Sequence, residues 1–73
     1  MNLYVVRVIK PGDIVERFVA SIENERFDAE INAHGDLTVS RYNHGDPYQT
    51  RYPVALLAAG QWLRADVGWE EIA

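Results

Sequence analysis

One stretch constrains this chain more than the rest: Pro53-Val54-Ala55-Leu56-Leu57-Ala58-Ala59-Gly60-Gln61-Trp62-Leu63-Arg64-Ala65-Asp66-Val67-Gly68. Leu56, Gly60, Leu63 and Val67 recur at helical spacing, and Leu57, Ala59 and Trp62 widen the stripe to a broad apolar face. Pro53 suits a first helical position, where its missing N–H and fixed φ cost nothing, and Gly68 suits the position just past a helix end. The pattern therefore predicts a C-terminal helix. Gly60 costs it about 1 kcal/mol of propensity relative to Ala, which requires an offsetting gain such as close approach of the helix to a sheet. The helix then serves as the lid on a β-rich domain.

The preceding chain reads as strands. Leu3 to Ile9 alternates, with Tyr4, Val6 and Val8 on one side, and predicts a strand buried on one face. Lys10-Pro11-Gly12-Asp13 breaks it with a type II turn signal. Ile14 to Ile22 admits two readings. As a strand it is rich in β-branched and aromatic residues and sets Glu16 opposite Arg7; as a helix it places apolar residues at 14, 15, 18, 19 and 22 behind an acidic capping box, Asp13 with Glu16. The strand reading is preferred. Arg26 to Asn32 alternates cleanly, with Phe27, Ala29 and Ile31 inward, and returns through Ala33-His34-Gly35-Asp36 to Leu37–Tyr42 as a hairpin. Asn43 to Thr50 is a loop crowded with turn formers, and the tail after Gly68 folds back to pack Trp69 and Ile72. The expected fold is α+β: a four-stranded antiparallel meander, ββββα, covered by one C-terminal helix, with βαββα as the alternative.

At 73 residues the chain holds one domain spanning 1–73, and a 48% apolar fraction places it among globular sequences. It has no cysteine, so neither a disulfide nor a thiolate metal site is available, which points to the cytoplasm. The start carries Arg7 inside its apolar run and does not read as a signal peptide; no apolar run is long enough to span a membrane. A formal net charge of -4 argues against direct nucleic-acid binding and favours basic partners.

Chemistry-bearing motifs are sparse. His-Gly-Asp occurs at 34–36 and 44–46, but the intervening strand, at about 3.3 Å per residue, holds the copies roughly 20 Å apart. One ion cannot take both, so no metal is expected, and each Gly reads as a turn residue with positive φ. The two serines lack a glycine elbow and no Gly-rich phosphate loop exists, so the expectation is a protein that is not an enzyme and carries no cofactor. Two surface features stand out. Glu23, Glu25, Asp28 and Glu30 form an acidic strip, suited to a basic groove. Arg41, Tyr42, Tyr48, Arg51 and Tyr52 crowd one loop with the residue types that dominate protein interfaces.

In size and charge, though in no motif, the profile resembles the small inhibitors that bacteriophages and mobile elements encode against host defences, anti-CRISPR proteins among them. That likeness implies a non-enzymatic protein-binding module occluding a basic, nucleic-acid-handling surface of a larger host protein or ribonucleoprotein. The alternatives are an assembly subunit acting as a homodimer, and a small hydrolase or ligand-binding domain.

Overall fold

Six strands and no helix make up the computed structural model, which describes residues 1–71. They are β1 (Asn2–Lys10), β2 (Ile14–Val19), β3 (Glu25–Ile31), β4 (Leu37–Asn43), β5 (Tyr52–Leu57) and β6 (Arg64–Glu71). They form two three-stranded antiparallel sheets, ordered β2-β1-β6 and β3-β4-β5. The fold is all-β, which corrects both the ββββα and the βαββα expectations. None of the described residues forms a helix long and apolar enough to cross a membrane.

The expected helix is two strands and a turn. Gly60 has a φ of 89° and a clear space around it, so it shapes the turn between β5 and β6 and approaches no backbone closely. Pro53 lies at a register shift in β5, an edge strand, where Ser40 pairs Pro53 but Val39 pairs Ala55. A residue without an N–H is tolerated at such a site. Gly68 stands in the middle of β6, with an Arg7 guanidinium nitrogen 3.6 Å from where a Cβ would be. Both supposed helix boundaries therefore have strand explanations. Of the helical stripe, Leu56 and Leu63 are 72% and 62% exposed, whereas Leu57 and Trp62 do reach the core.

β1 is the central strand of its sheet and is covered on both faces, not on one. Val6 and Val8 point into the core shared with Ala20, Phe27, Leu37, Val39 and Leu57, against which Tyr4, Phe18, Trp62 and Ala65 pack. Leu3 and Val5 point the other way, and Val5 is nevertheless 0% exposed. Strand alternation puts a charged network on the same face as Val5. Arg7 reaches Asp66 at 3.0 Å and Glu70 at 3.4 Å, while Arg17 reaches across from β2 to Glu70 on β6 at 2.7 Å.

Register explains this network. Pairing runs Lys10↔Ile14, leaving Pro11, Gly12 and Asp13 in the turn, with φ of 84° at Gly12 and 60° at Asp13. The extra loop residue moves the ladder by one from the expected pairing of Glu16 with Arg7, so Glu16 stands opposite Val8 and Arg17 opposite Arg7. Glu16 meets Lys10 instead. Two arginines directly opposite destabilise a ladder unless an anion joins them. Glu70 is that anion, and the missing side chain at Gly68 clears the path of Arg7 toward it.

The second sheet follows its alternation closely. Phe27, Leu37 and Val39 are buried and register holds from Glu25↔Asn43 to Ile31↔Leu37, although Ile31 at the far end is 61% exposed. Between the sheets the chain turns at Ala20–Asn24, where the Ala20 N–H donates to the Tyr4 carbonyl and Phe18 meets Phe27 at 6.2 Å between ring centroids. Trp69 lies in β6 and packs edge-on against Tyr4 at 5.3 Å; Ile72, its expected companion, lies outside the described residues.

Stability measurements separate this arrangement from a helical lid. Leu37→Ala, at a 1% exposed position, is expected to cost about 2 to 5 kcal/mol in urea melts. Leu63→Ala is expected to stay within about 0.5 kcal/mol of the parent, as exposed substitutions do.

Candidate functional site

The two Arg-Tyr dipeptides organise the loop end of the molecule. In an antiparallel pair the partner of residue i+1 is j−1, so setting Arg41 against Tyr52 brings Tyr42 to Arg51. Each arginine then lies over the facing tyrosine: Arg41 Cζ is 5.4 Å from the Tyr52 ring centroid and Arg51 Cζ 3.9 Å from that of Tyr42. Because strand side chains alternate, the two cation–π pairs sit on opposite faces of the sheet. The repeat thus closes the β4–β5 hairpin from both sides. Tyr48, by contrast, projects from the loop tip and is 87% exposed.

The acidic strip divides between the same two faces. Glu25 lies on the core-side face with Phe27, and both its oxygens are occupied: Oε1 accepts from the Ser21 N–H and hydroxyl, and Oε2 faces Arg41 at 3.7 Å. Asp28 and Glu30 lie on the other face. Asp28 accepts from Arg51 Nε at 3.1 Å, so the acid and loop features meet in an Asp28–Arg51–Tyr42 chain. Glu23 and Glu30 are exposed and bonded to no cation among the described residues. The hollow on the core side is walled by Ile22, Glu25, Arg41, Asp46 and Tyr52, and within it Glu25 faces Arg41.

A second cluster gave no signal in the sequence, since its members come from three distant strands. Arg26 lies 4.5 Å from the Trp69 ring and 5.8 Å from that of Tyr4, with its guanidinium also donating to the carbonyls of Glu23 and Glu25. Burial raises the pKa of the Tyr4 hydroxyl, with Tyr42 and Asp28 adding to the rise and Arg26 opposing it. The two clusters are therefore electrostatically contiguous. Trp69 remains 52% exposed beside them.

The His-Gly-Asp copies occupy the β3–β4 turn and the β4–β5 loop, at opposite ends of β4. Gly35 has the expected positive φ, at 85°, but Gly45 does not, and the positive φ of that loop falls three residues past the second copy, on Gln49, at 47°. Side-chain acceptors shape both turns: Asn32 Oδ1 takes the N–H groups of His34 and Asp36, Asn43 Oδ1 takes that of Gly45, and Asp46 Oδ1 that of Tyr48. The described residues contain no group of three or more metal-ligating side chains. Asp36 also ties the β3–β4 turn to the β5–β6 connection, accepting from the Ala59 N–H at 2.9 Å while Trp62 Nε1 donates to the Gly35 carbonyl at 3.0 Å.

Comparison with known proteins returns no match: no family model, no curated protein and no solved structure aligns with this chain.

The Ala59 N–H, and after it the Asn32 amide, hold the Asp36 carboxyl below its ordinary pKa. A depressed folded-state pKa contributes stability that is complete above the unfolded value, about 3.9, and is lost as pH falls through the folded value. Asp36→Ala is accordingly expected to melt below the parent at neutral pH, and the gap to narrow in acid below the ordinary aspartate range. Thermal melts across that range check it; a gap independent of pH would assign the loss to packing alone.

Proposed function

We propose that this chain is a non-enzymatic protein-binding module that sets an acidic exterior against a basic, nucleic-acid-handling surface of a larger protein or ribonucleoprotein and occludes it. One observation carries the reading: among the described residues, the cations are consumed internally while several acids are left over. Arg7, Lys10, Arg17, Arg41, Arg51 and Arg64 each face a carboxylate, and Arg26 is held by two carbonyls and two aromatic rings. Asp13, Glu23, Glu30, Asp36 and Asp46 face no cation, so the formal charge of -4 is expressed outward. Such a field raises encounter rates with a positive surface and repels phosphate backbones.

The exposed Glu23, just before β3, and Glu30, near its end, supply the steering, while Tyr48 is an unburied aromatic able to fill a partner's pocket. Proteins retained by the immobilised chain from a native lysate, once identified and purified, provide the assay. The wild type is expected to displace nucleic acid from the captured protein. Reversing Glu23 and Glu30 to Lys is expected to slow association and flatten its salt dependence, whereas Tyr48→Ala mainly speeds dissociation. A captured protein that keeps its nucleic acid, or a reversal that leaves the association rate unchanged, contradicts the reading.

A further inference from the structure

Four strands stand at sheet edges, and one of them carries no charged side chain. β2 holds Glu16 and Arg17; β3 holds Glu25, Arg26, Asp28 and Glu30; β6 holds Arg64, Asp66, Glu70 and Glu71. β5, Tyr-Pro-Val-Ala-Leu-Leu, holds no charge at all. Charged side chains on edge strands are the usual guard against further pairing, and only Pro53 and the register shift beside it blunt this edge. Leu56 and Val54 on it are 72% and 44% exposed. A groove runs alongside, walled by Pro11 and Ile14 opposite Ala55, Leu56 and Leu57, and Ile14 is 58% exposed.

We propose that the β5 edge and its groove bind a second copy of this chain, joining two three-stranded sheets into one continuous six-stranded sheet about a twofold axis. Charge selects the occupant. Two copies of a chain at -4 repel, and twofold pairing along β3 or β6 would set each strand's carboxylates near their own counterparts. Along β5 no like charges meet. The Lys10–Glu16 pair on the groove rim offers one charge of each sign, which is complementary to its own symmetry mate. A charged foreign strand, by contrast, finds no counter-ion on β5. The dimer leaves Glu23, Glu30 and Tyr48 outside the strand that is covered, so this inference is independent of the function proposed above.

Sedimentation equilibrium of the full chain from low to high micromolar concentration tests it. The wild type is expected to approach twice the chain mass, and Val54→Lys and Leu56→Lys to remain at the monomer mass. Leu63→Lys, 62% exposed but off β5, is expected to behave as the wild type. A monomeric wild type, a dimer that survives both β5 substitutions, or equal dissociation by Leu63→Lys overturns the proposal. A second readout needs no variant: the wild-type melting temperature is expected to rise with protein concentration, as linkage requires of a dimer, and a concentration-independent value counts against it.

Discussion

The structure depends on a central strand that is closed to solvent on both faces. Val5 and Val6 are consecutive in β1, hence point in opposite directions, and both are 0% exposed. Burying Val6 requires a second layer, which the β3-β4-β5 sheet supplies through Phe27, Leu37, Val39 and Leu57. Burying Val5 requires cover on the side where no second sheet lies. On that side alternation and register place Val19 opposite Val5, and Arg7 and Arg17, whose long stems can lie over apolar surface while their charged ends stay in water. Exposed ion pairs are worth about 0 to 1 kcal/mol each, so the ion pairs of this face contribute little to stability by themselves.

That solution propagates through the chain. It fixes the three-residue turn at Pro11–Asp13, because a shorter loop would slide Arg17 out of line with Arg7. It explains Gly68, which leaves room for Arg7 to reach Glu70. The same use of cations recurs at Arg41 and Arg51, each placed over a tyrosine and against an acid. The excess of acids over cations in the sequence is carried by groups such as the exposed Glu23 and Glu30, which face no cation among the described residues, and this is the surface on which the proposed function rests.

The legible parts of the sequence were those in which local pattern and long-range packing agree. Phe27, Ala29, Leu37 and Val39 alternate around a turn built by Asn32 and Asp36, and the β3–β4 hairpin follows directly. β2 was legible through its β-branched residues, though not its register, since a positive φ at Asp13 adds a loop residue that no hydrophobic pattern reports. Residues 53–68 misled because proline and glycine serve helices and strands for different reasons. Pro53 at an edge-strand irregularity and Gly68 beneath an arginine mimic helix boundaries, and Gly60, an awkward helix residue, was the sign of a turn. At the surface, the repeated Arg-Tyr dipeptide announced its crossed pairing once β4 and β5 were known to be antiparallel. Arg26, Tyr4 and Trp69 announced nothing, because only the fold brings them together.

The pairing of β1 with both neighbours is the claim on which everything else stands, and the nuclear Overhauser pattern of the labelled chain in solution tests it most directly. Cross-strand contacts are expected from the Val6 backbone to Phe18 on one side and to Val67 on the other, with the slowest amide exchange in β1. Sequential amide–amide contacts running from Val54 to Val67, with no contact from Val67 to Val6, would contradict that pairing.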